Sequence, residues 1–83
     1  MSVETAVLSI ISDVLYISPN FNTEQTLVDD LGADQLDILN LVTELENHFD
    51  VVILDKQIFK SMRAVHLVGV IEDLVDEKNN SRS

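Results

Sequence analysis

The chain has 83 residues and a mass of 9.3 kDa, room for one domain built on one small core. Its 15 acidic residues outweigh 5 basic ones for a formal charge of -10, a field that repels phosphate backbones and anionic lipid headgroups and favours encounter with a basic protein surface. The absence of cysteine removes any disulfide framework, thiol nucleophile or thiolate metal site, and a hydrophobic share of 46% with only 2 Gly and 1 Pro excludes a disordered chain.

The charge is unevenly placed. Met1 to Asp55 holds 11 Asp or Glu and no Lys or Arg, whereas Lys56 to Ser83 holds 4 acids and 5 bases. All the net charge therefore lies in the first two thirds. The opening residues lack a basic leader, and no apolar run approaches the roughly 18 residues that span a bilayer. A cytoplasmic, monomeric protein is expected, with no nucleic acid and no membrane as partner.

From Val3 to Leu15 the residues Val3, Val7, Ile10 and Val14 recur at helical spacing, flanked by Leu8, Ile11 and Leu15. Ser2 is placed to cap this first helix, and the segment around Ser18, Pro19 and Asn20 ends it near Tyr16. Phe21 to Ala33 has no sustained period and reads as a long ordered loop anchored by Phe21, Leu27, Val28 and Leu31. Asp34 then caps a second helix, and Asp37 places another carboxylate in its positively polarised first turn. Leu36, Leu39, Val42, Leu45 and Phe49 form the apolar stripe of that helix, joined by Ile38 and Leu41.

Val51 to Leu54 has strand propensity but no partner strand, so it is expected as a buried extended connector. Lys56 to Lys60 reads as one short helical turn. A last helix is expected from about Arg63 to Glu77, with Gly69 inside it either serving a close helix contact or marking local weakness. Residues 1–77 would form the single domain, and Lys78 to Ser83 a polar, frayed tail.

The junction into the second helix reads Asp30-Leu31-Gly32-Ala33-Asp34-Gln35-Leu36-Asp37, and the helix continues through Glu44, Leu45, Glu46, Phe49 and Asp50. This resembles the acyl carrier protein family, recognised by an Asp-Leu-Gly-Ala-Asp-Ser-Leu-Asp segment at that place, with seven of eight positions matching. The resemblance covers nearly the whole chain. It implies an all-α fold, a small four-helix bundle with a long loop between the first two helices and a short third helix. It also implies a role in fatty-acid or related acyl metabolism, with no enzymatic activity.

In carriers of this kind the Ser hydroxyl attacks the pyrophosphate of coenzyme A under a transferase's control and receives 4'-phosphopantetheine, whose thiol holds the acyl group. Gln35 stands at that position. A carboxamide has no ionisable hydroxyl and its nitrogen lone pair is delocalised, so the resemblance implies the cofactor for the family and none on this sequence. What the resemblance retains is the docking surface: Asp34, Asp37 and Glu46 match acids that meet basic patches on acyl-pathway enzymes or the carrier-modifying transferase, and Glu44 adds another. Asn40 and Asn47 stand where acids are usual, and Leu54 stands where Pro is usual. Lys56, Lys60 and Arg63 gather positive charge just beyond, available to pair with the acidic helix.

Two other readings use the same residues: a genuine carrier whose attachment Ser was engineered to Gln35, and a non-carrier regulatory or structural interaction module. Acidic mimicry of nucleic acid would leave the junction motif unexplained. Asp29, Asp30, Asp34 and Asp37 lack the ligand spacing of a calcium loop, and His48 and His66 have no zinc-type companions. No metal site is expected.

Overall fold

The computed structural model describes residues 2–54, 59 and 61–80. Among the described residues three helices carry the fold: α1 (Val3–Leu15), α2 (Gln35–Phe49) and α3 (Ala64–Asn80). Among the described residues there is no strand. Of the expected short helix at Lys56 to Lys60 only Phe59 is described, and it is fully buried; the rest of that segment lies outside the described residues.

α1 begins where Ser2, in an extended conformation, accepts a hydrogen bond from the Thr5 amide at 3.1 Å. Its buried face is Ala6, Val7 and Ile11. Val3, Leu8, Ile10, Val14 and Leu15 are only partly buried, so the centre of the stripe runs through Val7 and Ile11. Ser12 is the one polar residue buried on this face among those described, and its hydroxyl donates to the Ser9 carbonyl at 2.9 Å. The helix is closed by Tyr16 itself, left-handed at φ 58 and ψ 44, whose amide returns to the Ser12 carbonyl. Pro19 follows in the next turn and is not the terminator.

The loop expected at Phe21 to Ala33 has a single fully buried anchor, Leu27; Phe21, Val28 and Leu31 are half-buried. Order comes instead from backbone pairing with the entry to α3. The Leu27 amide donates to the Met62 carbonyl at 3.0 Å, Ala64 to Gln25 at 3.1 Å and Val65 to Thr23 at 2.9 Å, around an antiparallel bridge between Thr26 and Arg63. Beyond it, Thr26 and Asp30 cap each other: the Thr26 amide donates to the Asp30 carboxylate at 2.9 Å and the Asp30 amide to the Thr26 hydroxyl at 3.1 Å. Gly32 then takes φ 78, a conformation open to glycine at little cost, and turns the chain into α2.

α1 packs against both α2 and α3. The core joins Val7 and Ile11 to Leu41, Val42 and Leu45 of α2 and to Ala64, Leu67, Val68 and Ile71 of α3. Leu27, Ala33, Ile53, Phe59 and Met62 complete it from the connections.

Three sequence expectations need correction. Leu36 and Leu39, assigned to the buried stripe of α2, are 63% and 53% exposed; the packed positions are Leu41, Val42 and Leu45. α2 has apolar residues around more than half its circumference, and contact with α1 decides which of them face inward. Val51 to Leu54 is extended but only Ile53 is buried, because side chains of an extended segment alternate in direction and leave Val52 and Leu54 in solvent. α3 runs to Asn80, so Lys78 belongs to the helix and not to a frayed tail; its Nζ donates to the Phe49 carbonyl at 3.3 Å and pairs with Asp50 at 3.2 Å. Gly69 lies inside α3 with open space where a Cβ would stand, so no close helix contact requires it.

Candidate functional site

The junction motif forms the N-terminus of α2. The Asp37 amide donates to Asp34 Oδ1 at 2.8 Å, and the Asp34 amide donates back to Asp37 Oδ2 at 3.1 Å, a reciprocal capping box with Asp where Glu is usual. The two carboxylates satisfy backbone donors that the helix leaves free and lie at the positive end of its dipole. Gln35 is the first helical residue and is exposed. Its backbone is thus fixed by its neighbours while its side chain reaches solvent.

The acids expected to dock partners separate into two groups. Asp34, Asp37 and Glu44 lie clear of the core, Asp34 and Glu44 exposed and Asp37 half-buried. Glu46 does something else: half-buried, it accepts a hydrogen bond from the Ile53 amide through Oε2 at 2.8 Å. That bond ties the chain back onto α2 after the left-handed turn at Asp50, φ 54 and ψ 53. One oxygen of Glu46 is therefore a structural strut. Asn40 and Asn47 are exposed on the same helix, and His48 lies edge-on to Phe49 at 4.7 Å between ring centroids. Arg63 is exposed, while Lys56 and Lys60 lie outside the described residues.

The Thr43 hydroxyl donates to the Leu39 carbonyl at 2.9 Å, two turns into α2, and Ser18 and Thr26 accept from nearby loop amides. Among the described residues, no group of three or more His, Cys, Asp or Glu is placed to hold a metal ion, and no helix is long and apolar enough to cross a membrane.

Two residues absent from the sequence-based site enter it from α1. A groove of about 500 Å³ runs between α1 and α2, and Asp13 and Tyr16 line it opposite Leu36, Asp37 and Glu44. Helical phase carries part of the signal, since Ile10, Asp13 and Val14 share a flank at spacings of three and four. The pairing of that flank with α2 required the tertiary fold.

Residues 5–71 match the family model described as the phosphopantetheine attachment site. The chain is 40% identical over 67 residues to an acyl carrier protein of Thermotoga maritima, covering 80% of this chain and 83% of that protein. It is 36% identical over 72 residues to one from Akkermansia muciniphila, covering 86% and 90%. An acyl carrier protein homolog of Mycoplasmopsis pulmonis is 32% identical over 63 residues, covering 76% and 86%. With the family model spanning most of the chain and these relatives aligned along it, the chain belongs to the acyl carrier protein family.

Proposed function

We propose that this protein is an acyl-carrier-like docking protein of acyl metabolism that takes no 4'-phosphopantetheine at position 35. The observation that carries this is Gln35, exposed at the first position of α2 inside an intact capping box. The junction keeps the local geometry of a presentation site, and the side chain it presents is an amide. The residues present do not fit attachment of the group: an amide nitrogen conjugated with its carbonyl is not a nucleophile toward a phosphorus centre, and the nearest hydroxyl on α2, that of Thr43, is committed to the Leu39 carbonyl.

What the surface retains is negative charge. Asp34, Asp37 and Glu44 would steer a basic face of an acyl-pathway enzyme toward the N-terminal half of α2, with charge governing encounter rate and partner choice more than final affinity. The chain acts as one domain in this arrangement, operating in the cytoplasm.

Intact-mass measurement tests the proposal. The protein and its Gln35→Ser variant are incubated with coenzyme A and a phosphopantetheinyl transferase. The Gln35 protein should keep its mass and the Ser variant should gain one arm. An arm on the Gln35 protein would overturn the proposal, and failure of both proteins would show that the surface no longer addresses the transferase.

A further inference from the structure

Among the described Phe and Tyr residues, only Tyr16 is exposed. It holds a left-handed backbone conformation, φ 58 and ψ 44, that a non-glycine residue adopts at a penalty, and its side chain is 94% exposed, so almost no burial offsets that penalty. Closure of α1 accounts for the backbone conformation, since the Tyr16 amide returns to the Ser12 carbonyl, but it does not account for the exposed ring. Tyr16 lines the groove between α1 and α2 together with Val14 and the exposed Leu36.

Charge defines the rim. The three ionisable side chains that line the groove besides the Tyr16 phenol are carboxylates, Asp13 from α1 and Asp37 and Glu44 from α2. No Lys or Arg occurs before Lys56 in the sequence, so α1 and α2 contribute no cation of their own to this rim. The groove is thus lined by apolar side chains, an aromatic ring, Asn40 and Thr43, and carboxylates from both helices with no Lys or Arg among them. Such a surface repels lipid headgroups and nucleic-acid phosphates and complements a cationic chain carrying an apolar anchor.

We infer that the α1–α2 groove binds a basic amphipathic segment of a partner protein, with an apolar side chain seated between Tyr16 and Leu36 and Lys or Arg side chains on Asp13, Asp37 and Glu44. This rests on the proposed docking role of α2 and extends it: α1 supplies half of the recognition surface. The anchor confers affinity through exclusion of water, and the carboxylates of the two helices fix its orientation.

The probe is a short amphipathic peptide of leucine and lysine, titrated into isotopically labelled full-length protein and followed by amide chemical shifts at several salt concentrations. A second peptide has the same charge with leucine replaced by serine. Shifts should appear together at Asp13 to Tyr16 and at Leu36 to Glu44, and the serine peptide should bind about tenfold more weakly, as expected for loss of a buried anchor. Tyr16→Gly should weaken the leucine peptide by a similar factor without lowering Tm, because glycine suits the backbone there. Asp13→Asn should flatten the salt dependence. Shifts confined to α2, with Tyr16→Gly neutral, would overturn the groove while leaving α2 docking in place. Equal binding of both peptides would also overturn it, and no shift with either would remove the docking role altogether.

Discussion

Replacing Glu46 separates a structural carboxylate from the docking carboxylates around it. Its Oε2 lies 2.8 Å from the Ile53 amide, and Ile53 is 4% exposed, so little water is available to replace the acceptor. A hydrogen bond to a charged group contributes about 1.5–3 kcal/mol, and an orphaned buried donor costs about 1–3 kcal/mol. Glu46→Ala should therefore destabilise the fold by about 2 kcal/mol. At about 4–8 °C per kcal/mol for a domain of this size, Tm should fall by roughly 8–16 °C. Glu46→Gln keeps a carbonyl acceptor and loses only the assistance of the charge, so about half of that loss is expected. Glu44→Ala, on the exposed face, should stay within about 0.5 kcal/mol of the parent. Urea unfolding monitored by circular dichroism measures all three, with an unchanged slope confirming that stability alone has moved. An alanine variant as stable as the parent, or a glutamine variant as damaged as alanine, would refute the strut.

Other substitutions probe other parts of the fold by the same unfolding measurement. Asp34→Ala removes the acceptor for the Asp37 amide and should cost about 1–2 kcal/mol. Gly69→Ala should stabilise α3 by about 0.5–1 kcal/mol, since nothing stands within 4 Å of the new methyl group. Tyr16→Gly sets relief of about 1–2 kcal/mol of left-handed strain against about 0.4–1 kcal/mol of added unfolded-state entropy, for a net gain of roughly 0.5 kcal/mol. Leu27→Ala empties a fully buried site in the loop and should cost about 2–5 kcal/mol, as much as a helix core position.

Features governed by local chemistry could be read from the sequence. Ser2 and Asp34 cap the helices they precede because a side-chain oxygen at that position meets a free amide two or three residues on, whatever the rest of the chain does. Gln35 at the helix entry follows from the same logic. Features decided between distant segments could not be read. The exposure of Leu36 and Leu39 depends on the angle at which α1 meets α2, and periodicity alone admits several phases of an apolar helix. The Glu46 strut depends on a left-handed Asp50 that folds the following residues back along the helix, a conformation with no glycine to announce it. Tyr16 conceals its turn in the same way. Asp13 counted only as one more acid until the fold set it across the groove from Asp37 and Glu44.

The backbone bonds joining Thr23, Gln25 and Leu27 to Met62, Ala64 and Val65 also govern the order in which the molecule can come apart. They link segments far apart in sequence, so closing them carries a large chain-entropy cost and favours late formation, after the helices have begun to associate. The amides of Leu27, Ala64 and Val65 should then be among the slowest to exchange with solvent, opening only when α3 leaves the loop. Loosening that seam would free the chain leading into Asp34 and Gln35 while the α2 capping box stayed closed, so the presentation end of α2 would lose its fixed position before it lost its helix.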